Sequence, residues 1–245
     1  MANPYQGVGQ IASGARFVER QELTKEILEA WNGQRPGNLS LRGNFRMGKS
    51  SLIRDAATKF HAANPDRIAV VIGAGRIKDG VSLFRGIARR AYASLSEIGA
   101  ARHLLPGAQR RLSAALESDM WSDVSEAVAD FLCYLGDSDI GAMIAIDEFD
   151  RLSDWCGTPE FQFLRDLASE PEYRVGLTTV SRKSVYEIEV AGSHGSHLGG
   201  VLGHSLSVGL MSEEEATALV LRAGDSGVDI SPWYGDILGS SQSRV

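Results

Sequence analysis

Gly43-Asn44-Phe45-Arg46-Met47-Gly48-Lys49-Ser50 follows the spacing G-x-x-x-x-G-K-[ST], a glycine-rich turn that cradles phosphate oxygens with backbone N–H groups. Its flanks supply the setting this chemistry requires. Asn38-Leu39-Ser40-Leu41-Arg42 ahead of it reads as a short buried strand, and Ser51-Leu52-Ile53-Arg54-Asp55-Ala56-Ala57 behind it reads as the first turns of a helix. A helix N-terminus adds positive potential to the cradle. Lys49 is then expected to reach the β- and γ-phosphates, with the Ser50 hydroxyl on Mg²⁺. Gly43 to Ser51 form the expected nucleotide-binding set, and a nucleoside triphosphate is the expected ligand.

A phosphate loop alone holds its ligand; hydrolysis needs carboxylates on a neighbouring strand. Met143-Ile144-Ala145-Ile146-Asp147-Glu148 has the required form, four apolar residues ending in two acids. Asp147 is expected in the Mg²⁺ shell beside Ser50, and Glu148 as the general base that polarises the attacking water. Asp150 reads as a cap or a partner of Arg151 rather than a nucleotide contact. The following strand ends Thr178-Thr179-Val180-Ser181-Arg182. Ligands sit at the carboxyl ends of parallel strands, so Arg182 is placed to face the γ-phosphate and offset developing charge. The competing reading of Arg182 is a surface arginine beyond a strand.

Around these motifs the chain alternates strand and helix signals. Phe17 to Trp31 is amphipathic, and Gly33 to Gly37 breaks it. Arg67 to Ile72 is a short, continuously apolar strand, as expected when both faces of a parallel sheet are covered. Helical periodicity runs through Val81 to Ile98, Ala108 to Glu117, Trp121 to Leu135 and Thr158 to Ser169. Further strands are expected at Ala142 to Ile146, Tyr173 to Val180 and Leu206 to Leu210, with a glycine- and histidine-rich surface loop over Gly192 to His204. Ser212-Glu213-Glu214-Glu215 opens a helix with acids at its positive end. Strands separated by helices predict an α/β three-layer sandwich around a central parallel sheet of about five strands.

Composition narrows the class. The 245 residues, 43% hydrophobic and 23% charged, suit one α/β domain with a small appendage. A net charge of −6 does not favour non-specific nucleic-acid binding. Two cysteines, Cys133 and Cys156, without C-x-x-C spacing suit a reducing cytoplasm and argue against a disulfide framework or zinc site. No apolar run approaches the roughly 20 residues of a membrane helix. His194, His197 and His204 share a loop but match no standard zinc spacing. Arg85, Arg89 and Arg90, with Arg110 and Arg111, mark two basic helix faces, read first as solvated. Gly73-Ala74-Gly75-Arg76 lacks the third glycine of a dinucleotide fingerprint and reads as a turn near the nucleotide.

Taken in order, Phe17-Val18-Glu19-Arg20-Gln21-Glu22-Leu23, the phosphate loop, Ile146-Asp147-Glu148-Phe149-Asp150 and Thr179-Val180-Ser181-Arg182 resemble the STAND branch of AAA-like ATPases, signal-transduction ATPases with numerous domains. Archaeal-type and origin-recognition ATPases look like close cousins, and the resemblance covers about residues 15 to 225. It implies that Phe17, Val18 and Arg20 line the adenine. Glu19 and Gln21 stand where the family usually has glycine and glutamate. It also implies ATP rather than another triphosphate, and a γ-phosphate-sensing role for Arg182. Family members continue into a helical lid and a winged helix; here a flexible N-terminus is expected over 1–14, the nucleotide domain over 15–210 and a partial helical lid over 211–245. The expected activity is a slow, Mg²⁺-dependent ATPase acting as a molecular switch, with ATP or ADP controlling a homo-oligomer or a protein partner. Signalling or defence is the implied setting. The alternatives are a DNA-linked ATPase and a nucleotide-locked scaffold that scarcely hydrolyses.

Overall fold

The computed structural model describes residues 18, 20–33, 35–193, 195 and 197–225. The expected flexible stretch over 1–14, Phe17, and residues 226–245 of the expected lid lie outside them. Five strands, β1 (Leu39–Arg42), β2 (Arg67–Gly73), β3 (Gly141–Asp147), β4 (Val175–Ser181) and β5 (His204–Ser207), form one parallel sheet in the order β2-β3-β4-β1-β5. Helices α1 (Gln21–Trp31) and α2 (Lys49–Ala63) pack on one face. The opposite layer draws on α3 (Gly80–Glu97), α4 (Leu105–Glu117), α5 (Trp121–Asp137), α6 (Thr158–Ser169) and α7 (Val185–Ser193). After β5 the chain enters α8 (Glu213–Asp225). This is the three-layer α/β fold that the alternation of signals predicted.

The two layers explain the apolar runs. Along β3, Ala142, Ile144 and Ile146 join the larger core, while Met143 and Ala145 face the α1/α2 side. A strand buried on both faces has no polar position to alternate with. On the α1/α2 side Trp31, fully buried, packs edge-on to Phe60 and donates its indole N–H to Thr178 Oγ1 at 3.0 Å. That bond satisfies two polar atoms that would otherwise be orphaned in the core.

β4 lies between β1 and β3, so the acidic strand is two strands from the phosphate loop, not beside it as the sequence suggested. The segment before β1 secures this arrangement. Asn38 Oδ1 accepts the backbone N–H of Leu177 in β4 at 2.8 Å, and its amide donates to the Ala168 carbonyl. The Arg35 guanidinium donates to the carbonyls of Ala168, Ser169 and Glu170 at the end of α6, where a cation complements the negative helix terminus.

α7 also went unmarked in the sequence pattern, and it shortens the expected Gly192–His204 loop. Glu189 on α7 is fully buried and accepts the backbone N–H groups of His197 at 2.8 Å and Leu198 at 2.7 Å. With Leu198 and Leu202 buried beside it, this stretch is pinned to the core rather than loose on the surface. β5 begins two residues earlier than expected and ends at Ser207. Arg85 and Arg111, read as solvated, are absorbed by packing. Arg85 donates to the Ala115 and Ser118 carbonyls and pairs with Asp119, while Arg111 pairs with Asp130 over the Tyr134 ring.

Candidate functional site

The turn between β1 and α2 is built from its backbone. Gly48 takes φ +81° and serves as the N-cap of α2 with no side-chain cap, a conformation glycine adopts without a steric cost. Gly43 lies so close to the Val208 carbonyl that a Cβ there would overlap it. No acid stands in the first turn of α2, so its leading N–H groups keep their positive character for an anion. Lys49 folds back across the turn, its ammonium donating to the carbonyls of Gly43 at 2.7 Å and Asn44 at 2.8 Å. Burial pulls the Lys49 ammonium below its ordinary value; the Asp150 and Asp147 carboxylates oppose that shift and Arg182 adds to it.

A cavity of about 390 Å³ opens over this turn. Phe45, Arg46, Met47, Gly48, Lys49, Ser50 and Ser51 line it from one side, and Asp147, Glu148, Asp150, Arg151, Val180 and Arg182 from the other. The fold thus brings together the expected phosphate loop, the last residue of β3 and the acid after it, and the arginine beyond β4. Asp147 is 5% exposed and accepts the Glu148 N–H at 2.9 Å. Glu148 itself is exposed, in left-handed backbone at φ 56°. Its carboxylate lies over Gly75, where a Cβ would overlap Oε2. Because β2 and β1 lie on opposite sides of β3, that pose leans away from the phosphate loop. Gly73-Ala74-Gly75-Arg76, read as a turn near the nucleotide, is therefore the seat of an acid of the site.

Arg182 stacks over the exposed Phe45 ring with its Cζ 4.5 Å from the centroid, within cation–π range. Asp150 departs from its expected role. Arg151 pairs with Asp154 instead, and the Asp150 carboxylate accepts the backbone N–H groups of Arg182 and Lys183. No local signal pointed to this contact, since its two ends are 32 and 33 residues apart.

Beyond the end of β5, which abuts Gly43, Val18 is buried and Arg20, 5% exposed, donates to the Gly209 carbonyl at 2.8 Å; neither lines the cavity. Burial lowers the Arg20 pKa, partly offset by Glu215. Arg20 thus ties the segment before α1 to the connection between β5 and α8.

The donor set fits the groups the motifs imply. An uncapped helix N-terminus, a lysine and an arginine suit phosphate. A hydroxyl facing a carboxylate across the cavity suits a hard divalent cation.

No protein-family profile matches the chain, and no curated protein matches it in sequence. Solved structures do. A Walker-type ATPase of Pyrococcus abyssi has a TM-score of 0.57 at 14% identity, over 93% of this chain and 63% of that one. The ORC1 protein of Aeropyrum pernix, solved in complex with DNA, has 0.56 at 13% identity, over 91% and 52%. The ORC2 protein of Aeropyrum pernix, in ADPNP–ADP complexes, has 0.56 at 11% identity, over 91% and 55%. The chain therefore spans between about half and two-thirds of the length of these relatives. The five-stranded parallel sheet with its flanking helices and phosphate loop is the α/β P-loop fold that this chain shares with these ATPase structures.

Proposed function

We propose that the protein binds and hydrolyses ATP as a molecular switch, its nucleotide state governing assembly with further copies or a protein partner. The observation that carries this reading is that Lys49, Ser50, Asp147, Glu148 and Arg182 line one cavity. Lys49 exchanges its two loop carbonyls for β- and γ-phosphate oxygens. Ser50 and Asp147 would hold Mg²⁺, which when bound neutralises phosphate charge. Glu148 leaves its seat over Gly75 and takes the proton of the attacking water. Arg182 contacts γ-phosphate oxygens that ADP lacks, so ATP and ADP favour different states. Arg20 and the start of α8 serve as the base of a partial lid. The STAND-like resemblance supports ATP as the nucleotide, a base site near Phe17, Val18 and Arg20, and signalling or defence in the cytoplasm as the setting.

Steady-state hydrolysis by wild type and Glu148→Gln, with size-exclusion chromatography of each in ATP and ADP, tests this. Turnover is expected to fall by about a thousandfold in the variant, with a larger species in ATP. No turnover in either protein and no size change would overturn it in favour of a nucleotide-locked scaffold. The DNA-linked alternative draws on the ORC1 neighbour's complex with DNA. The internal pairing of Arg85 and Arg111 weakens it, and ATP-dependent, salt-sensitive DNA binding would revive it.

A further inference from the structure

The Asp150 carboxylate is the most committed acid of the cavity. It leaves β3 in the short helical turn Phe149–Asp154 and crosses to the tip of β4. Its Oδ1 accepts the N–H of Arg182 at 3.1 Å and of Lys183 at 2.9 Å, and its Oδ2 accepts Arg182 N–H at 3.0 Å. Oδ2 also lies 3.7 Å from Arg182 Nε, with the aspartate side chain 9% exposed and the arginine 43% exposed. On its other side the guanidinium meets the Phe45 ring. Arg182 is therefore fixed at its backbone while its cationic end rests between an acid and an aromatic face, one loop away from Lys49.

We propose that Asp150 is a positioning residue that sets Arg182 for reading the terminal phosphate. This rests on Arg182 contacting the γ-phosphate, as above. The bonds from the two backbone N–H groups hold the arginine's root at the rim of the cavity, and the loose contact at Nε releases its head to a stronger anion. Charge-assisted bonds to phosphate are shorter and stronger than a 3.7 Å ion pair, so the exchange proceeds without moving β4. Oδ1 alone spans both backbone N–H groups. Asparagine can therefore keep the Oδ1 half of the backbone tie with its amide oxygen, although its NH2 then stands where Oδ2 accepted from Arg182, and alanine keeps none of it. The carboxylate also faces Lys49, where it is the foremost charge opposing the effect of burial.

The test is the ratio of Kd values for ADP and a non-hydrolysable ATP analogue, in wild type, Asp150→Ala, Asp150→Asn, Arg182→Ala and the Asp150→Ala/Arg182→Ala double variant. Wild type is expected to prefer the analogue. Both alanine variants should lower that preference by about tenfold, the double variant no further than Arg182→Ala, and Asp150→Asn should restore part of it. Unchanged ADP affinity reports an intact phosphate loop. Should Asp150→Ala fail to fold, Asp150→Ser, with one short acceptor, carries the same expectation. A wild-type ratio in the Asp150 variants with a reduced ratio in Arg182→Ala overturns the proposal alone, as do losses that add independently in the double variant. A wild-type ratio in Arg182→Ala, or a wild type that binds neither nucleotide, overturns the underlying reading and the proposal with it.

Discussion

The turn between β1 and α2 and the tips of β3 and β4 meet in one cavity, yet they are built in opposite ways. The turn closes on itself: Gly48 bends left-handed and Lys49 bonds to carbonyls five and six residues back. The strand tips are held by side chains reaching across the fold, Asp150 to the backbone beyond β4 and Glu148 over Gly75, two residues past β2. A backbone device tolerates loss of one side chain structurally and loses only function. A side-chain device couples the two. Lys49→Ala sharpens this contrast most. Affinity for a non-hydrolysable ATP analogue should fall by about a hundredfold in calorimetry, with an unchanged melting midpoint. A lowered midpoint would show that the loop depends on its lysine after all.

Glu189→Ala probes the other kind of construction, away from the cavity. It strands two backbone N–H groups beside fully buried Leu198, and urea denaturation should show a loss of about 2 kcal/mol. A smaller effect follows at the seat of Glu148. Gly75→Ala places a methyl against its carboxylate and turns it toward the phosphates, so turnover should rise about threefold with ADP affinity unchanged. A fall would mean that the pose over Gly75 is the working one. The smallest effect concerns α7, whose start is a reciprocal cap between Ser184 and Glu187. The Ser184 side-chain bond, then its backbone bond, hold the Glu187 carboxyl below its ordinary value. A depressed carboxyl pKa stabilises the fold above the unfolded value, and the contribution is lost as pH falls toward the folded one. Amide exchange in α7 should quicken slightly over that acidic range and lose this dependence in Glu187→Gln.

What could be read from the sequence divides along the same line. The phosphate loop, α6 and the apolar body of β3 are legible because their determinants are adjacent residues: glycine spacing, helical periodicity, a continuous apolar run. The insertion of β4 between β1 and β3 is not, because strand order depends on contacts such as Asn38 to Leu177, 139 residues apart. α7 hid because Tyr186 and Val190 face solvent while Glu189 is buried, which inverts the usual amphipathic pattern. Asp150 reads locally as a cap or a partner of Arg151, because its actual contacts lie 32 and 33 residues away. Arg20 bonds a carbonyl 189 residues away, beyond any local signal.

The left-handed backbone at Glu148 has an evolutionary consequence. A non-glycine residue held there stores about 1–2 kcal/mol of strain, and asparagine tolerates that conformation better than glutamate. One substitution, Glu148→Asn, would therefore both relieve the chain and remove the proposed proton acceptor. Selection for stability alone pushes this position toward silence. On the proposed function, a lineage that keeps glutamate there does so against its own thermodynamics, and one that lets it go arrives in a single step at a sturdier protein expected to grip nucleotide without consuming it.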